Sequence, residues 1–308
     1  MIQPPSATTL PRGKPAASAG LPFDLAAVVL MAGAVRQTDL ARAAGRARLD
    51  LPILRDASLG DCWAARVATL RHDLNAPHLP MVVSTNAIAG MPKNAAAWAQ
   101  TTVRMDSEEP RGSGGALGDI AHEFDADSYM LIVPAHSFPR AELEPVLREL
   151  ASVSADAMIH ADSDRTPSGC FLLRCGAMQG LPARGFLDLK EQALPQIRSK
   201  FDVRVVCTDQ APPLPIRTLD GYVQALRAAT RATGSTGESQ AEEWQWSFAL
   251  AEDGADVHAT ARLHDSVVLS GGKVGRGAVL VRCLVGPGGV VESGSSIFDE
   301  LVGVKSST

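Results

Sequence analysis

No Cys-x-x-Cys pair occurs among Cys62, Cys170, Cys175, Cys207 and Cys283, and an odd count does not suit a closed disulfide framework. The five read as reduced, mostly buried thiols of a cytoplasmic protein. Cys170 and Cys175 have no histidine cluster beside them, so a zinc site is not expected. No apolar run reaches the about 18 residues of a membrane span. Basic charge is not in excess either. The 29 Lys and Arg stand against 34 Asp and Glu, and the net charge of −5 offers no footprint for nucleic acid or an anionic membrane. Residues 1–23, rich in Pro, Ala and Ser, lack the continuous apolar centre of a secretory signal and are expected as a disordered tail. The serines, histidines and aspartates form no nucleophile-elbow pattern, which leaves a hydrolase reading without support.

What is present has a rhythm. From Leu25 to Thr230, apolar runs of strand length (AAVVLMA, PMVVST, SYMLIVPA, DAMIHA, GCFLLRC, VRVVCT) alternate with stretches of helical spacing. The helical stretches are GDCWAARVATLRHDL, GGALGDIAHEF, RAELEPVLRELASV and LDGYVQALRAATRAT. Such alternation predicts an α/β domain over 24–232, with a mainly parallel, Rossmann-like sheet covered on both faces. Ligands of such sheets bind at the carboxyl ends of the strands. Residues 233–254, containing GSTGESQAEE, read as a linker, with Trp244 and Trp246 as a plug between domains.

Beyond the linker the pattern changes. Val257, Leu263, Val268, Val274, Val279, Val285, Val291 and Ile297 recur at steps of 6, 5, 6, 5, 6, 6 and 6, with glycines and small residues between. One inward aliphatic residue per hexad predicts a β-helix over 255–303, with about 18 residues per coil and two to three coils. His258 and His264 lie where β-helix acyltransferases place a base, but those enzymes need many more coils.

The first strand, AVVLMA, runs into a loop that keeps Gly33 and then carries Ala34, Val35, Arg36 and Gln37. Successive backbone N–H groups close around a phosphate most readily when glycines leave room for it. A second glycine group, Gly112, Gly114 and Gly115, opens a helix and permits close backbone approach to a nucleotide; alone it is an ordinary glycine turn.

Four segments in this order resemble the sugar-1-phosphate nucleotidylyltransferases, in particular the mannose-1-phosphate guanylyltransferase branch. VVLMAGAVRQT followed by RLDLPI is similar to the family's VILAAGLGTRL and KPLLPI; EEPRGSGGALGDI is similar to EPLGTAGAL. GFLDLKEQALPQI resembles the branch's DLKE-L-P helix, and the hexads resemble the left-handed β-helix that the family often appends. The resemblance covers roughly residues 25–303. It implies a nucleotidyltransferase-like domain followed by a short left-handed β-helix, with Ala32, Gly33, Gly112, Gly114 and Gly115 near the nucleotide.

The family's reaction is an in-line attack by a sugar phosphate on the α-phosphorus of a nucleoside triphosphate. That chemistry needs Mg²⁺, cationic side chains and N–H groups around the phosphates. The resemblance implies Arg36, Arg48 and Lys190 as the cationic candidates, Arg36 standing one position before the family's loop arginine. The two metal carboxylates fall at His136 and Pro215, neither of which is a hard oxygen donor. Only DSDRTPSG, with Arg165 and no lysine, stands where the family carries a long sugar-binding excursion. Lys190 and Glu191 remain near the sugar pocket or on a solvated helix face.

Three functions follow. One is a non-catalytic relative that binds a nucleotide, a nucleotide sugar or a paralogous subunit in sugar-nucleotide or polysaccharide metabolism, as a homo-oligomer or with an active paralogue. A second is an active Mg²⁺-dependent nucleotidylyltransferase with metal ligands relocated to Asp125, Asp127 or Asp162. The third is the acyltransferase of the hexad histidines.

Overall fold

The computed structural model describes residues 20–33, 36–106, 109–232 and 248–303. Most of the expected tail, Ala34 and Val35, and most of the expected linker with Trp244 and Trp246 lie outside the described residues. In the first part of the chain the strands are β1 (Leu25–Met31), β2 (Pro52–Leu54), β3 (Ala57–Ser58), β4 (Met81–Thr85), β5 (Thr101–Met105), β6 (Tyr129–Pro134), β7 (Ser137–Phe138), β8 (Ala157–Ala161), β9 (Pro167–Arg174), β10 (Val203–Cys207) and β11 (Leu214–Pro215). The helices are α1 (Asp39–Ala44), α2 (Leu59–Asp73), α3 (Gly112–Ala121), α4 (Leu143–Ala151), α5 (Cys175–Gln179), α6 (Leu194–Arg198) and α7 (Leu219–Ala232).

Seven strands form one sheet in the order β10-β8-β9-β6-β1-β4-β5. All neighbours pair in parallel except β9, which is antiparallel to both β6 and β8. The reason lies in the chain between β8 and β9. It is a tight turn, closed by Arg165 N–H on the Asp162 carbonyl (3.0 Å), and too short for the crossover that a parallel pair needs.

Strand β1 shows why these runs are apolar throughout. Val28 and Leu30 enter one core, Ala27 and Val29 the other. Leu59, Trp63, Val67 and Leu70 of α2, with Leu143, Val146, Leu147 and Leu150 of α4, cover the first face. Leu117, Ile120 and Ala121 of α3, with Ala177 and Met178 of α5, cover the second. Helix α2 starts at a capping box: Ser58 Oγ accepts from Asp61 N–H, and the Asp61 carboxylate accepts from Ser58 N–H (2.8 Å). The buried Trp63 indole is satisfied by the Ser137 carbonyl (2.9 Å).

The last part of the described chain forms three parallel ladders, which fit a β-helix. The first joins β12 (Ala249–Ala251), β15 (Ser266–Val268), β18 (Leu284–Val285) and β21 (Leu301–Val302); the second joins β13 (Asp256–Val257), β16 (Lys273–Val274) and β19 (Val290–Val291). The third joins β14 (Arg262–His264), β17 (Val279–Val281) and β20 (Ser296–Phe298). The first rung, Ala249–Ala251, falls inside the segment expected as a linker.

Partners on adjacent rungs are 17 residues apart, as in Cys283 N–H to Ser266 Oγ, one short of three full hexads. The inward residue of β17 is Leu280, fully buried, while Val279 turns outward; the hexad reading chose the wrong one of two adjacent aliphatics. With Leu280 in place, each coil has one five-residue side. A tight left-handed corner recurs at Asp265, Arg282 and Asp299 (φ 47°, 51° and 55°). The Arg282 guanidinium ties two of these corners together on Asp299 (Nε–O 2.6 Å).

The coils rest on α1 and α7. Arg46 donates both terminal nitrogens to Glu252 (2.7 and 2.9 Å), and Arg227 pairs with Asp265. At Gly286 the coil backbone comes so close to α1 that a Cβ would lie 1.8 Å from the Ala43 carbonyl oxygen. Gly286→Ala is therefore expected to cost about 2 kcal/mol or more, because backbone must move on both sides. Gly180→Ala, whose methyl meets nothing nearer than 3.7 Å, serves as the reference. Chemical denaturation of both variants checks the contrast.

Candidate functional site

The carboxyl ends of β1, β4 and β6 converge on a narrow cleft lined by Ala32, Arg48, Thr85, Gly90, Ala135 and His136. Strand order reverses about β1, which places this cleft at the switch point where open α/β sheets take ligands. Arg48 arrives on a 3₁₀ turn, Arg48–Asp50, that follows α1. His136 arrives on the bend between β6 and β7.

The two positions implied for metal carboxylates do meet. Strand β11 pairs antiparallel with β7, Pro215 opposite Ser137, and Ile216 N–H donates to the His136 carbonyl (2.8 Å). What meets there is a different chemistry. Arg217, one residue on from Ile216, sends its Nη2 to His136 Nε2 (3.2 Å). A nitrogen that accepts from a guanidinium is unprotonated, so the ring is neutral. Burial, then the charges of Arg48 and Arg217, hold its pKa down at about 4; a hydrogen bond to the Met31 carbonyl opposes them, and Lys190 adds to the depression. Arg48 is itself lowered from its usual value by burial and by Arg217.

Lys190 is exposed on a π-turn (Leu189–Ala193) that leads into α6, and its charge reaches the cleft. Arg36 is exposed on the loop after β1. Arg217 was not among the sequence candidates, although it stands two residues after Pro215 in PIRTLDGY. The signal was a basic residue close to the position implied for a metal carboxylate.

Magnesium demands hard oxygen ligands. Pro215 has no side-chain donor, His136 offers a nitrogen already engaged by Arg217, and Arg217 repels a cation. The residues present do not fit the ion. Among the described residues no group of three or more His, Cys, Asp and Glu is placed to hold a metal. The relocated carboxylates fare no better. Asp125 and Asp127 precede β6 and so lie at the opposite end of that strand from His136; Asp127 is paired with Arg174, and Asp125 accepts from Asp127 N–H (2.9 Å). Asp162 holds the β8–β9 turn, accepting from Asp164 and Thr166 N–H (3.0 and 2.8 Å). Asp220 binds Gln224 one helical turn on (2.7 Å).

The glycines have local explanations. Ala32 and Gly33 both direct their N–H groups to the Ser84 carbonyl (2.8 and 3.1 Å), prolonging the β1–β4 ladder and leaving neither for a phosphate. Gly114 and Gly115 likewise give their N–H groups to the Leu187 carbonyl (2.8 and 3.3 Å). A Cβ at Gly112 would lie 2.7 Å from that same oxygen, and one at Gly114 2.8 Å from Ala193 Cβ. These residues let α3 seat against 187–193. Ser113 Oγ and Asp188 close the joint, and Arg111 is fixed by Asp119 (3.0 and 3.2 Å) and the Gly185 carbonyl (2.8 Å). On the coils, His258 Nδ1 accepts from Thr260 N–H (3.2 Å), a local turn contact.

No protein-family model and no curated sequence matches this chain. Among solved structures it is similar to HddC from Yersinia pseudotuberculosis (TM-score 0.48, 15% identity, 66% of this chain and 98% of that one). It is also similar to a homologue of Mycobacterium tuberculosis Rv0371c from Mycobacterium sp. strain JC1 (TM-score 0.48, 18% identity, 67% and 97%). A third is a putative glucose-1-phosphate thymidylyltransferase from Bacillus anthracis (TM-score 0.48, 12% identity, 70% and 97%). Likeness at this level decides neither the fold nor the chemistry of this chain.

Two expectations follow from the site. Gly33→Ala leaves stability nearly unchanged, since its methyl would lie 3.5 Å from Asn86 Nδ2, whereas Gly114→Ala lowers the melting temperature by several degrees. The second concerns pH. Above 6.5 the His136 ring is neutral whether the chain is folded or not; below it the unfolded chain takes up the proton first, so stability falls as pH drops from 6.5 towards about 4. His160 is depressed by burial and acts in the same direction, so the diagnostic quantity is the difference from His136→Gln, whose denaturation midpoint falls less steeply over that window.

Proposed function

We propose that this chain is a sugar-nucleotidyltransferase-like protein whose cleft binds a nucleotide or nucleotide sugar without transferring a nucleotidyl group. Its architecture on this reading is an α/β domain over 24–232, a linker, and a short left-handed β-helix that ends near residue 303. The observation that carries the reading is the His136–Arg217 contact, beside Pro215, where the resemblance implies two carboxylates. Nucleotidyl transfer needs the charge of a triphosphate neutralised as pyrophosphate leaves, and the family assigns that work to a metal held by those carboxylates. A neutral imidazole and an arginine attract phosphate oxygens but do not hold the metal.

The cleft is narrow, about 10 Å³ inside, so a ligand's phosphates would sit at its mouth. It lies at the strand ends, is walled by Ala32, Thr85 and Ala135, and carries the Arg48 charge on its lining. The resemblance supplies the ligand class, and the short β8–β9 turn leaves little chain to enclose a sugar phosphate for attack. A protein of this kind would act by sequestering a nucleotide sugar or by pairing with a catalytic paralogue.

The test uses the full-length chain with a panel of nucleoside triphosphates, sugar-1-phosphates and Mg²⁺. No pyrophosphate or nucleotide sugar above background is expected, while nucleotides or nucleotide sugars raise the melting temperature. Steady pyrophosphate release abolished by chelator would overturn the proposal.

A further inference from the structure

One cation lines the cleft, and two more act on the His136 ring. Arg48 lines it, Arg217 is hydrogen-bonded to the lining residue His136, and Lys190 stands within electrostatic reach of the same ring. None of the three forms an ion pair with a carboxylate among the described residues, although eleven such pairs are made elsewhere. Asp50, close by in sequence, is buried with both oxygens on Lys93 N–H (3.0 and 3.2 Å). The chain as a whole is acidic, with a net charge of −5, so this concentration of cations is local.

We propose that the cleft binds the diphosphate group of its ligand in metal-free form, with Arg217 and Arg48 supplying the positive charge that a divalent cation supplies elsewhere. The inference rests on the reading of the cleft as a nucleotide site and deepens it. A guanidinium presents its N–H donors as a planar fork that matches phosphate oxygens two at a time. Arg217 is pre-positioned for this: His136 accepts from its Nη2, and the β7–β11 pairing fixes the backbone on either side of the contact. His136 is then a positioning residue, orienting Arg217 and adding no charge of its own. Lys190, on a π-turn pinned by Asp188, supplies a third cation from the opposite sequence segment.

A consequence separates this arrangement from a metal-dependent one. A diphosphate that already carries Mg²⁺ has less negative charge to offer, and its metal meets arginine where it would need carboxylate. Magnesium should therefore weaken binding.

Isothermal titration calorimetry of the full chain with GDP, UDP, ADP, dTDP and inorganic pyrophosphate, in chelator and then in excess Mg²⁺ at constant ionic strength, reads this directly. At least one probe is expected to bind in chelator and to lose threefold or more of its affinity with Mg²⁺. Arg217→Ala and Arg48→Ala are each expected to lose about tenfold in chelator, whereas Arg276→Ala, which removes the same charge from the coils, loses none. Arg217 is exposed, so its variant keeps the fold, and an unchanged thermal melt verifies that. In the double variant His136→Asp with Arg217→Gly, the effect of Mg²⁺ is expected to reverse sign. Binding of every probe only with Mg²⁺, no binding of any probe, or affinity indifferent to both arginine variants would overturn the proposal. Those outcomes leave the absence of nucleotidyl transfer standing, while turnover in the pyrophosphate assay strikes the earlier reading by itself.

Discussion

Strand β1 has to be covered on both faces, and the rest of the molecule is arranged to meet that demand. Its residues alternate between two cores, so helices must lie on both sides of the sheet, and parallel neighbours must be reached by crossovers. The carboxyl end of β1 then emerges at the point where the strand order reverses, with a parallel neighbour on each side. Ala32 and Gly33 prolong the ladder to β4, Ala135 and His136 arrive from β6, and Arg48 comes in after α1. The same α1 is clamped from outside by the coils through Arg46, Glu252 and the close approach of Gly286 to Ala43. Cleft and coil thus flank the same short stretch of chain, α1 and the turn after it.

Electrostatics decide what the cleft can do. Two arginines stand near one neutral histidine, and both His136 and Arg48 have lowered pKa values, through burial first and the neighbouring positive charge second. The glycines near the sheet tell a complementary story. Where a phosphate-binding loop would leave N–H groups free, Gly33, Gly114 and Gly115 spend theirs on Ser84 and Leu187 carbonyls. On the proposed reading, recognition of an anion falls to the side chains of Arg48, Arg217 and Lys190.

Much of the architecture was legible because burial writes itself into periodicity. Six apolar runs became sheet strands, and four helical stretches became α2, α3, α4 and α7 to within a few residues. Strand β5 escaped notice because it lies at the sheet edge and is only partly buried, so Thr101, Thr102 and Arg104 carry no apolar signature. The choice of Val279 over Leu280 shows the limit of a repeat reading when two aliphatic residues are adjacent: either fits the spacing, and the buried one is known only from the rung above and below.

By itself, then, the sequence determined what each segment had to bury, the chemical poverty of Pro215 and His136 as metal ligands, and the repetitive character of the end of the chain. These are properties of residue type and local spacing. Only the tertiary structure decided that the Pro215 strand lies against the chain at His136 and Ser137, that Arg217 rather than Arg36 reaches the ring, and that Gly112, Gly114 and Gly115 serve packing against 187–193. Asp125 and Asp127 looked like spare carboxylates until the direction of β6 carried them to its far end. Charge acts through space, and two residues 81 positions apart become partners when an antiparallel ribbon brings their backbones together.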